Sequence, residues 1–330
     1  MTPTERDQRL VEINALIVGT TQSLDALRSI GTLHGSWRGA HEAACMLLLG
    51  LTGTGKTLTV LEHARRHPAS DGDGDMRRPV LIVTVPARCT LRSLAGAILI
   101  ELGDILPGRG SEAELTARVR HHLRRQGVEL LVLDEFQHLI NKRDARIVHE
   151  AADWVKGLLS ANLCPILLVG QISAKRIIET NGQLERRVQT ICCFRPYDWR
   201  IDDDRLEFRA VLDAIDARLG FPERSDLGRT DTALRIHHFS RGLLGQAMRL
   251  VRKASEIALA EDRPRLTRSV LAEAVDRLRL APGTDALNPF RIPEIDAADP
   301  APMDSELHDL AADEARHPSR RRLRAGVHGA

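Results

Sequence analysis

Eight consecutive residues, Gly50-Leu51-Thr52-Gly53-Thr54-Gly55-Lys56-Thr57, have the spacing G-x-x-x-x-G-K-[ST] in full. Glycines at those positions let backbone N–H groups approach phosphate oxygens, and a helix starting there adds partial positive charge. Lys56 is placed to contact the β- and γ-phosphates of a nucleoside triphosphate, and the Thr57 hydroxyl to ligate magnesium. With Leu58 in the first helical turn, these residues form the expected ATP-binding segment. An accidental glycine-rich turn is the plainer alternative. The flanks argue against it: an apolar run, Cys45 to Leu49, leads in, and a helical stretch, Thr57 to His67, leads out.

A second pair of chemical groups lies at Asp134 and Glu135, directly after the apolar run Leu130 to Leu133. A buried strand ending there delivers two carboxylates to the sheet edge where ligands of open α/β sheets bind. Asp134 suits the outer coordination of magnesium, and Glu135 is placed to orient and polarise a water molecule. That favours hydrolysis over transfer to another acceptor. Taken alone, the pair is equally a solvated acidic strand end. Gln171, after the run Ile166 to Gly170, has two readings: a hydrogen bond to the γ-phosphate or attacking water, or a plain loop glutamine. Arg186 and Arg187 also have two. One of them stabilises transition-state charge across a subunit interface, an effect of about 10³–10⁵ in rate in other enzymes, or both form an exposed basic helix end.

The elements that must position these groups are legible from periodicity. Short apolar runs at Cys45–Leu49, Val80–Val85, Leu130–Leu133 and Ile166–Val169 read as buried strands. Helical stretches at Thr57–His67, Leu91–Leu102, Glu112–Arg125 and Ala145–Leu159 alternate with them, which predicts parallel βαβ units covered on both faces. Four helices are expected over Asp202–Leu219, Thr232–Phe239, Gly242–Ala260 and Thr267–Leu278. The fold class is therefore an α/β parallel-sheet P-loop domain followed by a small all-helical domain. The expected division is 1–40 as a helical approach segment (one helix from about Glu5 to Arg28), 41–199 as the ATPase domain, 200–281 as the lid and 282–330 as a disordered tail. That tail carries eight acids and no Lys or Arg over 292–315, then Arg320, Arg321, Arg322 and Arg324.

Composition excludes several classes. Hydrophobic residues make up 43% of the 330, enough for a sizeable core, while aromatics at 3% leave it to Leu, Val, Ile and Ala. Five cysteines without C-x-x-C spacing read as small buried hydrophobes in a reducing compartment. With no apolar leader and no membrane-length apolar run, the expectation is a soluble cytoplasmic protein with no membrane partner. Asp71, Asp73 and Asp75 have calcium-loop spacing, but Met76 stands where that loop needs glycine and Ile82 where it needs glutamate. The pairs His121-His122 and His237-His238 lack partners at metal-ligand spacing, so surface or packing roles are expected. Trp37, Trp154 and Trp199 read as core anchors.

With the P-loop, the run Leu133-Asp-Glu-Phe-Gln-His138, Leu168-Val-Gly170 and Arg186-Arg187 in view, residues from about Leu24 to Leu280 resemble the TniB family. These are transposition ATPases of the AAA+ superfamily, more distantly related to the TnsC and MuB regulators. The resemblance implies a homo-oligomer, ring or filament, formed with ATP on double-stranded DNA. The assembly would recruit a transposase, and hydrolysis would reset it. Relatives often carry a nucleotide-sensing arginine in the lid. Here Met248 stands near that position with Arg249 next, which predicts loose coupling between nucleotide and lid.

The net charge of +2 does not itself announce DNA. Arg235 to Arg279 nevertheless holds ten Lys/Arg against five Asp/Glu. Those residues, with Lys142, Arg143, Arg146, Arg77 and Arg78, are candidates for sequence-independent phosphate contacts, or else ordinary solvated basic faces. Two rivals stay open: a signalling or secretion ATPase without DNA binding, and a nucleotide-gated scaffold that scarcely turns over.

Overall fold

The computed structural model describes residues 3–36, 42–72, 75–87, 89–140, 145–278 and 288–295. The chain divides into two compact units. Gln22–Phe194 forms one; the N-terminal residues up to Thr21 join those from Arg195 onward in the other.

The first unit contains α2 (Thr21–Ser36, all but its first residue), β1 (Cys45–Gly50) and α3 (Lys56–Arg65). Next come β2 (Ser70–Gly72), β3 (Asp75–Arg77), β4 (Val80–Thr84), α4 (Leu91–Glu101), α5 (Glu112–Arg125) and β5 (Leu130–Asp134). It continues through α6 (Gln137–Ile140), α7 (Ala145–Ser160), β6 (Ile166–Gly170), α8 (Arg176–Glu179), α9 (Gly182–Glu185) and β7 (Val188–Phe194). Five strands form one sheet in the order β4-β5-β6-β1-β7, every neighbouring pair parallel. Alternate residues serve opposite faces, as the two-residue period of a strand requires. Leu47, Leu49, Leu131, Leu133 and Leu168 join α4, α5 and α7 in one core. Met46, Leu48, Leu130, Val132 and Val169 join Ala26, Ile30 and Leu33 of α2 and Val60 of α3 in the other. Burial pushes the thiols of Cys45 and Cys164 up to about 12, so both act as neutral apolar groups.

The second unit packs α1 (Pro3–Asn14), α10 (Asp202–Asp216), α11 (Thr230–Ser240), α12 (Leu244–Ala260) and α13 (Arg268–Leu278) around Ile13, Phe208, Ile236, Leu250 and Val275. Trp199 is buried here and Trp154 in the first unit; Trp37 lies outside the described residues. No described helix is long and apolar enough to cross a membrane.

Three expectations need correction. The single helix over Glu5–Arg28 is two, α1 and α2, and they belong to different units. Ile17, Val18 and Gly19 fall in the break, β-branched and flexible residues that hold a helix poorly. Ile17 and Leu24, counted as apolar-face positions, are half exposed, whereas Ala26, Ile30 and Leu33 are buried. The expected loop Ala69–Pro79 contains a short antiparallel strand pair, β2 with β3; a stretch of alternating Asp and Gly suits strand pairing through a tight turn as well as a loop. Finally, the stretch beyond residue 282 is not uniformly tail. Asn288 and Phe290 are buried, and Asn288 Nδ2 donates to the carbonyl of Ala272 at 2.8 Å. Residues 279–287 and 296–330, with the basic cluster Arg320–Arg324, lie outside the described residues.

Candidate active site

Strand register brings the chemistry to one sheet edge. Leu49 pairs with Gly170, and Thr84 with Asp134, so Gly50, Asp134 and Gln171 all emerge at the same ends of parallel strands. Gly50 begins the P-loop with φ 155°, and a Cβ there would sit 2.5 Å from the Phe194 carbonyl. Only glycine lets β7 pass that close. The loop closes on itself: Thr54 Oγ1 donates to the Leu51 carbonyl at 2.8 Å, and Gly55 caps α3.

Lys56 is buried, and its Nζ donates to the carbonyls of Gly50 and Leu51, each at 2.8 Å. One turn of backbone therefore holds the ammonium over the loop that the motif assigns to phosphate. Thr57 Oγ1 donates to Asp134 Oδ2 at 2.8 Å, joining two groups separated by 77 residues. Asp134 Oδ1 accepts from the Glu135 backbone N–H at 2.8 Å. A hydroxyl and a buried carboxylate side by side are all-oxygen donors, the set that magnesium takes. The two residues expected to ligate it thus fit that ion. Leu51 is buried against the loop, while Leu58 is nearly half exposed on α3.

Glu135 sits at φ 56°, left-handed for a residue with a side chain, a conformation costing about 1–2 kcal/mol. The turn is held from two sides. Phe136 N–H donates to the Val169 carbonyl at 2.9 Å, and Gln137 Nε2 donates to Glu135 Oε2. Gln137 Oε1 in turn accepts from the Gln171 N–H at 3.0 Å. Gln137 is only 2% exposed and was not picked out from the sequence. Its position two residues after Glu135, at the start of α6, was the available signal. A Cβ on Gly170 would fall 2.4 Å from Gln137 Oε1, so that glycine makes room for the amide bridge. Gln171 is thereby placed beside the carboxylate through its backbone.

The two arginines part company. Arg187 pairs with Glu42 at 3.2 Å, and its carbonyl accepts from the Cys45 N–H, so it helps anchor the start of β1. Arg186 is exposed and lines an open cavity of about 760 Å³ with His149, Asp153, Lys156 and Asn181. None of the P-loop residues, Asp134 or Glu135 lines that cavity.

Among the proposed phosphate contacts, Arg235 is withdrawn. It is 2% exposed and committed to Asp231 and to the carbonyls of Pro289, Ile292 and Pro293. Arg77 pairs with Glu129 and Arg78 with the Glu101 carbonyl. Lys142, Arg143 and the Arg146 side chain lie outside the described residues.

A family model described as the bacterial TniB protein matches residues 11–196, more than half of the chain. The chain belongs to the TniB family. Among curated proteins none matches this TniB chain. Solved structures do. The ORC1 protein of Aeropyrum pernix, solved in complex with DNA, is 21% identical, with a TM-score of 0.57 over 82% of this chain and 68% of that one. Cdc6p of Pyrobaculum aerophilum is 19% identical, with a TM-score of 0.59 over 84% and 72%. Drosophila ORC bound to DNA gives 16% and 0.51 over 83% and 67%. At these identities the likeness shows the fold: a parallel-sheet P-loop domain of AAA+ type.

Proposed function

We propose that this TniB-family protein is an ATPase that assembles as a homo-oligomer on double-stranded DNA and recruits or activates a transposase, hydrolysis resetting the assembly. The observation that carries the reading is the contact of Thr57 with Asp134, beside Glu135. In it, Thr57 and Asp134 would hold magnesium, which would supply charge neutralisation for phosphate oxygens. Lys56 binds the β- and γ-phosphates, Glu135 takes the proton of the attacking water, and Gln137 and Gln171 position it. Arg186, exposed, is the arginine offered across the subunit interface. The family model supports a role with DNA, as do the two similar structures solved with it. Exposed Arg249 remains as a phosphate contact, and such contacts carry no base preference.

The test is ATP hydrolysis with and without double-stranded DNA across salt concentrations. Stimulation that fades as salt rises is expected, because phosphate contacts release counterions. Indifference to DNA at every salt concentration would remove the DNA adaptor and leave an ATPase of signalling or secretion type.

One observation favours a second reading, the nucleotide-gated scaffold: the Gln137 amide already occupies the Glu135 carboxylate. The two readings separate on Glu135→Gln. A working ATPase becomes trapped in its ATP-bound assembly, whereas a scaffold with little turnover is unchanged.

A further inference from the structure

At the opposite end of α3 and β5 lies a second cluster that plays no part in the chemistry above. His34 comes from the last turn of α2 and His63 from the last turn of α3; His67 follows one helical turn after His63. One imidazole nitrogen from each lies within 4.8 Å of the others. His34 Nδ1 and His63 Nε2 are 3.0 Å apart, and the ring centroids are separated by 5.2, 4.5 and 4.5 Å. His34 and His63 are buried, and His67 is half-buried.

We propose that His34, His63 and His67 form a binding site for a zinc-class divalent transition metal, with Glu129 orienting His34 from behind. Three observations carry this independently of the nucleotide site.

The first is the arrangement of the outer hydrogen bonds. His34 Nε2 faces Glu129 Oε2 at 3.3 Å. As the donor to that carboxylate it leaves Nδ1 with its lone pair. His67 Nδ1 lies 3.0 Å from the His63 carbonyl. A carbonyl only accepts, so His67 Nδ1 carries the proton and Nε2 keeps the lone pair. Carboxylate and carbonyl partners of this kind are what fix the tautomer and ring orientation of metal-binding histidines. Glu129 is itself held by Arg77, at 3.1 Å to Oε1.

The second is distance. Zinc–nitrogen bonds of about 2.0–2.1 Å in tetrahedral geometry place ligand nitrogens roughly 3.3–3.4 Å apart. The His34–His63 pair, at 3.0 Å, is already near that spacing, and a nitrogen of His67 lies within 4.8 Å of both.

The third is charge. α2 and α3 both end at the cluster, so two sets of helix C-terminal carbonyls turn partial negative charge toward it, and Glu129 adds a carboxylate. Nitrogen donors without thiolate suit zinc, copper, nickel or cobalt better than magnesium or calcium. The partly exposed His67 leaves the fourth coordination position open to water.

The experiment uses the full chain, treated with chelator and dialysed. Zinc is titrated by calorimetry, and cobalt is followed by its ligand-field absorption. The expected result is one equivalent bound per chain, a tetrahedral cobalt spectrum and a raised melting temperature. His67→Gln, a change at the half-buried position after the helix, should weaken zinc binding at least about 100-fold, and Glu129→Gln about 10–100-fold. Exposed His121→Gln should leave binding intact. Failure of the wild-type chain to bind zinc or cobalt overturns the site, leaving a hydrogen-bonded histidine cluster only. So does zinc affinity unchanged in His67→Gln, with circular dichroism confirming that this variant is folded.

Discussion

The two ends of α3 and β5 make an instructive pair. At one end Lys56, Thr57 and Asp134 gather oxygen and ammonium chemistry; at the other His63, His67 and Glu129, joined by His34, gather imidazole chemistry. The first is written as contiguous motifs, because backbone N–H groups and a loop of fixed length do most of the work. The second is assembled from side chains 29 and 95 residues apart, and no single stretch spells it. Donor type separates them too: hard oxygen donors at one end, borderline nitrogen donors at the other. The same helix and strand serve both, so each end can be changed while the other reports.

The largest effects belong to the oxygen end. Lys56→Ala should lower ATP turnover by about 10²–10³, as loss of a buried charge-stabilising donor does. Glu135→Gln should lower it by about 10²–10⁴ while nucleotide binding persists, measured by fluorescent-nucleotide titration. Zinc affinity at the far end should be the same in both variants; a parallel loss there would mean that the two ends are not separable.

Gly170→Ala comes next. The added methyl meets the Gln137 amide, so stability should fall by about 1–3 kcal/mol, read from urea unfolding, with a loss of turnover that Gln137→Ala shares. Turnover intact in Gln137→Ala would remove Gln137 as a positioning residue for Glu135.

At the nitrogen end, pH is the lever. His63 is held from 6.5 down to about 4 by burial, then by its histidine neighbours and Arg66. The unfolded chain takes up a proton in that window and the folded chain does not. Its contribution to stability is therefore complete above pH 6.5 and lost as pH falls toward about 4. Urea midpoints of chelator-treated protein should drop across that range, and His63→Gln should flatten the drop.

The smallest effect is at Arg187. Loss of its partly exposed pair with Glu42 should cost less than about 1 kcal/mol, whereas Arg186→Ala should leave stability unchanged and lower turnover only where chains assemble.

The reach of sequence reasoning follows the same division. The placement of Gly50–Thr57, Asp134 and Glu135 at strand ends and a helix start was readable because strand, turn and helix periods change at those residues. Helices α11, α12 and α13 were placed to within two residues, since each alternates apolar and polar groups at a helical period. The break between α1 and α2 was hidden by a continuing apolar rhythm through Ile17. His34 escaped notice because nothing nearby in sequence marks it; the four-residue step from His63 to His67 was the one visible sign. Arg235 looked like surface charge by type, and only the fold reveals three carbonyls and a carboxylate around it.

That arginine has a practical consequence. The sequence places the edge of the helical unit near residue 281, yet Arg235 and Arg268 are satisfied by backbone carbonyls between Pro289 and Pro293. A truncation at 281 would leave a fully buried guanidinium short of acceptors, at a cost of at least about 1–3 kcal/mol. Residues 288–295 are thus a plug on the helical bundle, and any shortened form of the protein should be cut only after them.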